Sequence, residues 1–323
     1  MTWLTWRQFR TQALVAVTGL AAIAIYLGYL GSRIRDGYAG VLSCRPSDCA
    51  TARHDFGESY TLPVSIAGLL LIAVPVLIGI FWGAPLIARE LEERTDRLVW
   101  NQSVTRTRWL ATKLVLLTLA AAAFTGLFSL LLTWSASRYD QLLGDRFGAL
   151  SFASRNVAPL GYAAFAFVLG TVAGLVARRT LVAMAVTLAV FAVVQVLVPN
   201  VVRAHLMTPV TTTVAFDADT PSRADLIAVN DRGATLIGYT MPGTWSMTDE
   251  AQVLNADGTP YTQQQAEACA DPACMAAKNL HFSYTYQPAS RYWPFQWIEL
   301  SAYLGVTLLL AGLGFWWIRR RTG

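Results

Sequence analysis

Apolar residues in this chain fall into long, nearly uncharged blocks that polar segments separate. A bilayer core is about 30 Å thick, so a helix of roughly 20 apolar residues can span it. Helices are the expected structure of such blocks, because a lone strand leaves its backbone groups unsatisfied in lipid. The pattern predicts six spans, near residues 11–30, 62–88, 109–134, 157–177, 181–198 and 294–318.

Composition agrees with this class. The 323 residues have a mean hydropathy of +0.42, and 54% are hydrophobic while 14% are charged. These values are too apolar for a soluble domain. The first block is long and lacks a clear small-residue cleavage site, so an uncleaved span is expected rather than a signal peptide. The predicted fold class is an all-α polytopic membrane protein with six transmembrane helices.

Basic residues predict the orientation. With the N-terminus inside, the cytoplasmic pieces are residues 1–10, 89–108, 178–179 and 319–321. Together with Lys113 they hold 13 of the 25 Lys and Arg residues, although the outer pieces are several times longer. This is the bias of short cytoplasmic loops towards positive charge. Both termini are then cytoplasmic, and the net charge of +5 gives no reason to expect nucleic acid as a partner.

The opposite face carries the longer polar segments. Residues 31–61 and 135–156 are expected to be loops, and residues 201–292 a larger polar region. Alternating residues in "TTTVAF" (211–216) and "HFSYTY" (281–286) predict strands there. We therefore predict a small, partly β extracytoplasmic domain between the fifth and sixth spans. The predicted divisions are spans one to five at 1–200, the domain at 201–292, and the sixth span with its basic tail at 293–323.

All four cysteines fall on the predicted outer face, as Cys44 with Cys49 and Cys269 with Cys274. In an oxidising exterior, two local disulfides are the simplest interpretation, and each six-residue loop would stabilise by roughly 2 kcal/mol. A metal site is the alternative, but no histidine lies near either pair at ligand spacing. Pairing between the two loops remains open, because four cysteines allow three connectivities.

The sequence offers little catalytic or energy-converting chemistry. It has no GxxxxGK[ST] loop for ATP, no HExxH and no GxSxG. Glu299 is the one carboxylate within an apolar block, either as a substrate contact or as an interfacial residue bonded to a neighbouring helix. No cofactor or metal site is therefore predicted in this chain. A transport function needs energy from a separate subunit.

A dense charged segment, "ARELEERTDRLVWNQSVTRTRW" (88–109), separates the second and third spans. As a helix it would place Glu90 before Arg94 and Glu93 before Arg97, the favoured order for pairs four residues apart. Its nine charges would cost over about 20 kcal/mol in hydrocarbon, so it must lie at or beyond the membrane surface. A solvated anchoring helix is one interpretation, but such pairs contribute only about 0.3–0.5 kcal/mol each.

The same segment resembles the cytoplasmic segment between the second and third spans of ABC transporter type-2 permeases. That family shows Glu-x-Glu-x-Gly-Thr, then Pro-Val-Ser-Arg, then a Lys that begins the third span. Arg94 stands here where Gly is usual, and Ser103 where Pro is usual. The matching positions are Glu90, Glu92, Thr95, Val104, Thr105, Arg106 and Lys113.

The resemblance implies a coupling helix at 88–103, with Glu90, Glu92, Thr95 and Arg106 acting towards an ATPase subunit. ATP and Mg²⁺ would then be bound by that partner chain, and a second permease subunit would complete the transporter. The closing segment further resembles actinobacterial permeases, which implies a bacterial cell membrane. The expected function is a permease subunit that exports a lipophilic drug, lipid or hydrophobic peptide. The alternative is a membrane-anchored sensor or assembly scaffold whose outer domain binds a ligand; an intramembrane enzyme is a third, weaker interpretation.

Overall fold

The chain folds into two compact units, a helical unit and a sheet unit. The structure is a computed structural model and describes residues 2–45, 48–92, 105–143, 146–269 and 271–321. The helical unit comprises Met1–Leu143, Ala149–Leu206 and Pro294–Gly323, and the sheet unit comprises Gly144–Gly148 and Met207–Trp293.

Long helices form most of the chain. The first are α1 (Thr2–Leu42) and α2 (Cys49–Ile78), and α2 passes through a π-helical turn (Gly79–Gly83) into α3 (Ala84–Glu92). Then follow α4 (Arg106–Ser135), α5 (Ser137–Leu143), α6 (Ala149–Ala153), α7 (Ala158–Ala177) and α8 (Thr180–Leu197). A π-helical turn (Val198–Val202) and a 3-10 turn (Arg203–His205) extend α8. The short α9 (Gln263–Ala268) and α10 (Pro272–Ala276) belong to the sheet unit, and α11 (Tyr292–Arg321) ends the fold.

Among the described residues, six helical stretches are long and apolar enough to cross a membrane, and each of the six predicted spans lies on one of them. The stretches are Ala13–Leu42, Cys49–Glu92, Thr107–Ser135, Ala158–Ala177, Thr180–His205 and Ala289–Arg320.

The first predicted loop is not a loop. Most of residues 31–61 belongs to α1 and α2, which continue as an antiparallel pair to a short turn near Cys44 and Cys49. Ile34 and Phe56 are buried in one apolar cluster on this extension. The polar residues that predicted a loop lie among these packed apolar positions, so tertiary packing decides the conformation. With 41 residues at 1.5 Å each, α1 is about 60 Å long, twice the thickness of the bilayer core.

Helix α7 lies at the centre of the helical unit. In its span 78% of the residues are buried, against 11% for the span of α1. Its glycines allow a close crossing with the second span: a Cβ at Gly174 would lie 2.5 Å from the Ala84 carbonyl oxygen, and one at Gly170 would overlap the Gly79 carbonyl. Backbone therefore packs directly on backbone at the π-helical turn.

The sheet unit contains one antiparallel sheet. Its strands are β1 (Val210–Ala215), β2 (Leu226–Asn230), β3 (Gly233–Ile237), β4 (Trp245–Ser246), β5 (Glu250–Leu254) and β6 (His281–Gln287). Their order is β1-β6-β5-β3-β2, and β4 also pairs with β6. Both predicted strands are present and pair with each other, with Val214 opposite Phe282. Leu236, Val253 and Phe282 form part of the unit's buried core.

Both local cysteine pairs are at disulfide distance. The Cα atoms of Cys44 and Cys49 are 5.3 Å apart, and those of Cys269 and Cys274 are 5.6 Å apart, within the usual range for a bond. The first pair closes the turn between α1 and α2. In the second pair, Cys269 is buried in the core of the sheet unit. The arrangement matches the local pairing predicted from the spacing.

Candidate functional site

The up-and-down course of the helices brings the described ends of the charged segment and other basic residues to one end of the helical unit. We call it the basic end: it holds the end of α3, the start of α4, the turn between α7 and α8, and the end of α11. The opposite end, where α7 and α11 begin and α8 ends, is called here the ion-pair end. The two ends carry different chemistry.

At the basic end, Glu90 is tied to the third span. Lys113 Nζ lies 2.6 Å from Glu90 Oε1, and the Lys113 side chain is only 6% exposed. The same ammonium lies 4.6 Å from the centre of the Trp109 ring, at cation–π distance. A partly buried ion pair is costly to break, because the remaining charge lacks both water and a partner. Glu90 therefore fixes the end of α3 against the first turns of α4.

Glu92 connects the same helix to a different element. The hydroxyl of Thr180, at the start of α8, donates to Glu92 Oε2 at 2.5 Å. The preceding turn is tight, with Arg178 in a left-handed conformation (φ +54°). Arg178, Arg179 and Glu92 are all exposed. This surface therefore presents both negative and positive side chains to a partner. Its backbone is fixed, because side-chain contacts join the second span to the third and fifth spans.

The remaining residues predicted for coupling are described only in part. Thr95 lies outside the described residues, as does the rest of the predicted coupling helix beyond Glu92. Arg106 is the first residue of α4, and Thr105 caps that helix by accepting from the backbone of Arg108 at 3.4 Å. The structure thus brings together Glu90, Glu92 and the adjacent ends of α4 and α8.

At the ion-pair end, Arg203 and Glu299 form a buried ion pair. Their closest atoms are 2.9 Å apart, and each side chain is 1% exposed. The hydroxyl of Tyr162 donates to the same carboxylate, and the guanidinium lies 4.0 Å from the centre of the Phe152 ring. Four segments of the helical unit therefore meet at one charged pair.

Polar bonds around this pair hold the helix ends together. Gln296, one turn before Glu299, accepts from the backbone of Ala158 at 3.0 Å and donates to the carbonyl of Phe152 at 3.1 Å. A second pair lies at the same end, where Arg155 donates to Asp140 at 3.2 Å. Ionisable groups within a membrane protein are costly unless paired, and they often mark a functional region.

Sequence reasoning missed Arg203 and Arg155. It placed Arg203 in the polar region after residue 200, whereas the α8 helix continues to His205 and carries Arg203 into the helical unit. For Glu299, the interpretation of a residue bonded to neighbouring helices agrees with its partners. A usable signal was present in the sequence, since a lone Arg directly follows the apolar stretch 181–202 and a lone Glu lies inside the last apolar run.

Two acidic residues of the sheet unit are held in turns by neighbouring threonines. The Thr220 hydroxyl donates to Asp217 and lowers the pKa of that carboxyl. Thr259 acts in the same way on Asp257 and lowers its pKa. Within the described ranges, no three His, Cys, Asp or Glu side chains are grouped closely enough to hold a metal ion.

Comparison with known proteins assigns the family. A family model described as "ABC-2 membrane transporter related" matches residues 17–203, more than half of the chain. No curated protein and no solved structure matches the sequence. The matched range covers most of the first and fifth spans and all of the second, third and fourth, together with the described part of the charged segment and Arg203. The chain is therefore a multi-pass membrane protein and belongs to the ABC-2 membrane transporter related family.

Proposed function

We propose that this chain is the permease subunit of an ATP-driven exporter for a lipophilic substrate, and that its basic end docks on a separate ATPase subunit. Two permease subunits and two ATPase subunits would form the transporter in a bacterial cell membrane. The basic end faces the cytoplasm in this proposal, and the sheet unit lies outside. ATP and Mg²⁺ are bound by the ATPase partner.

The observation that carries the proposal is the pair of ties made by α3. Glu90 holds Lys113 of the third span, and Glu92 holds Thr180 at the start of the fifth span. Since α3 continues the second span through the π-helical turn, a force on residues 90–92 acts on three spans together. Such an arrangement suits a helix that transmits motion from a partner. Thr95 and Arg106 are proposed to shape the following segment, which completes the docking surface.

The two acids have different parts in this proposal. Glu90 is 21% exposed as a side chain and already has Lys113 as its partner, so it positions α3. Glu92 is exposed and stands beside exposed Arg178 and Arg179, so it contacts the ATPase. Removing one partner of a desolvated charge pair at an interface costs about 2–5 kcal/mol, whereas a solvated charge costs little.

The test is association with the ATPase that co-purifies with the tagged chain in mild detergent. The double variant Glu90→Arg with Glu92→Arg is expected to weaken that association at least tenfold, or to abolish substrate-stimulated ATP hydrolysis. Insertion in the membrane should be unchanged. The matched control reverses Asp55 and Glu58 to Arg, because these exposed acids lie at the other end of the same span.

Equal association in the double variant and the wild type would move the coupling role to another surface, with the Arg178–Arg179 turn the next to test. Loss of association in the control as well would mean that charge reversal acts through folding. Absence of any co-purifying ATPase would favour the alternative function.

That alternative is a membrane-anchored sensor or scaffold, and one observation favours it. The sheet unit has an open cleft of about 690 Å³, with Asp231, Arg232, Asn255, Thr262 and Gln265 among its lining residues. A small polar ligand could bind there without transport. Co-purification of an ATPase distinguishes the two functions, because a permease needs an ATPase partner and a sensor does not.

A further inference from the structure

Helix α1 is packed along only part of its length. Leu27, Leu30 and Ile34 are buried against α2 and α4. Nearer the N-terminus the corresponding face of α1 is packed more loosely, because Ala16, Leu20 and Ile23 are only partly buried. The first span therefore has looser contacts with its neighbours towards the basic end.

A groove of about 380 Å³ lies along this loosely packed part of α1. Val15, Gly19 and Ile23 form one wall, while Leu77, Phe81 and Phe124 belong to the facing side. Nine of its ten lining residues have no polar side-chain atom, and the tenth is Trp82. Leu77 and Phe81 are about half exposed, so the groove is open to the side. Its surroundings in a membrane are therefore acyl chains.

Gly19 leaves the groove wide at its centre. A Cβ at this position would meet nothing within 4 Å, although helix α1 passes close to α2 a few turns later. The space is large enough for a slender, flexible occupant. A second protein helix needs about 8–10 Å between axes, whereas a linear hydrocarbon chain is much thinner.

Basic residues stand beyond the end of the groove on both walls. Arg10 precedes Val15 by five residues, about 7.5 Å along the helix axis, and is exposed. Arg89 follows Trp82 by seven residues, close to two helical turns, so it lies on nearly the same face and is also exposed. An anionic group at that level would have a cation on either side.

We propose that the groove between α1 and α2 binds one acyl chain of an anionic glycerophospholipid from the surrounding bilayer. The apolar walls hold the chain, and Arg10 and Arg89 attract the phosphate headgroup. Basic pockets between transmembrane helices select anionic headgroups in this way. The site binds a lipid of the membrane itself and does not depend on docking to an ATPase, so it can be tested independently of the proposed function.

Photolabelling of the full chain in nanodiscs tests the site. The nanodiscs contain phosphatidylcholine with a trace of phosphatidylglycerol that carries a diazirine on one acyl chain. Peptides covering 13–24 and 74–82 are expected to carry at least fivefold more label than the peptide with Leu308 and Leu309, which face outward at 73% and 75% exposure. The same probe with a phosphatidylcholine headgroup should label the groove at least threefold less.

A variant that fills the groove with a side chain tests the site specifically. Gly19→Leu is expected to lower groove labelling at least fivefold while the reference peptide is unchanged. Gly28→Leu is the matched control, because Gly28 also has nothing within 4 Å of its Cβ position. It lies nine residues on and therefore on the opposite side of the same helix. Replacing Arg10 and Arg89 with Gln should remove the preference for phosphatidylglycerol.

The proposal is overturned if Gly19→Leu labels as the wild type does, or if the groove is labelled no more than the reference peptide. Low groove labelling together with cross-links between two chains would identify a second copy as the occupant instead. Equal labelling by the two headgroups would overturn the assignment of an anionic lipid. Size-exclusion profiles of both glycine variants check that they fold.

Discussion

Arg203 donates two hydrogen bonds to Glu299, from Nε at 2.9 Å and from Nη2 at 3.1 Å, across 96 residues of sequence. Both partners are buried in the helical unit. Such a two-point bond fixes the relative orientation of the two groups as well as their distance. It therefore attaches the end of the fifth span to the start of the sixth.

Removing either partner of this pair is expected to destabilise the protein strongly. Arg203→Leu leaves the Glu299 carboxylate buried without its cation, and Glu299→Leu leaves the guanidinium in the same state. Each should cost about 3–5 kcal/mol. The double variant should recover most of the loss, because apolar replacement of a whole buried pair is often neutral. Thermal unfolding in detergent measures all three variants.

An exposed pair provides the comparison. Arg223 and Asp219 are 3.8 Å apart with side chains 39% and 76% exposed, so Arg223→Leu should change stability by less than about 1 kcal/mol. Strictly additive losses in the Arg203 and Glu299 double variant would contradict the assignment of a coupled pair.

The spans and the two pairing strands were predictable because each rests on a local pattern. Apolar length identified the six helices, and alternation identified residues 211–216 and 281–286. What the sequence could not provide was the partner of a lone charge. Arg203 and Glu299 meet only because α8 continues past its apolar run, and no local rule extends a helix through "VPNVVRAH".

The proposed coupling residues rest on the resemblance of the charged segment, and their role stays a prediction. The sequence offers no reason to join Glu90 to Lys113, 23 residues later. The extension of α1 and α2 was missed for a similar reason. Its charged and glycine residues are typical of loops, while its stability comes from contacts between two helices, such as those of Ile34 and Phe56.

The close crossing of α7 with the second span predicts intolerance of even one methyl group. Gly174→Ala would place its Cβ 2.5 Å from the Ala84 carbonyl oxygen, and both atoms are fixed by helical backbone. Overpacking of this kind costs about 1–3 kcal/mol or more. Gly312→Ala on α11 should be harmless, because its Cβ would have nothing within 4 Å. Fluorescence-detected size exclusion compares the folded yields, and equal yields would contradict the close packing.

Both local disulfides are expected in the mature protein. Peptide mass mapping without reduction should find Cys44 linked to Cys49 and Cys269 linked to Cys274. Replacing Cys269 and Cys274 with Ala should destabilise the sheet unit by about 2 kcal/mol, the entropy of closing a short loop in the unfolded chain. Four free thiols, or links between the two loops, would refute the local pairing.

Single cysteines test the proposed orientation in a background without the native four. Cysteines at Gln102 and Thr322 should be protected from an impermeant thiol reagent in intact cells, because the distribution of Lys and Arg assigns both to the cytoplasm. Cysteines at Ala149 and Thr259, which are exposed in the structure, should react. Labelling of Gln102 from outside would reverse the orientation and remove the proposed contact with an ATPase.

Exchanging the charges of Glu90 and Lys113 separates positioning from docking. Glu90→Arg alone places two cations within a partly buried site, so both stability and ATPase association should fall. Adding Lys113→Glu restores an ion pair in the reverse direction, and stability should return to within about 1 kcal/mol of the wild type, because the pair is again complete. Because Glu90 is proposed to act by positioning α3, association should return as well.

Glu92→Arg should instead weaken association at least tenfold with little effect on stability, since Glu92 is exposed. Detergent melting and co-purification distinguish the two residues. If the exchange restores stability without association, Glu90 itself contacts the ATPase, and its pairing with Lys113 is not its main role.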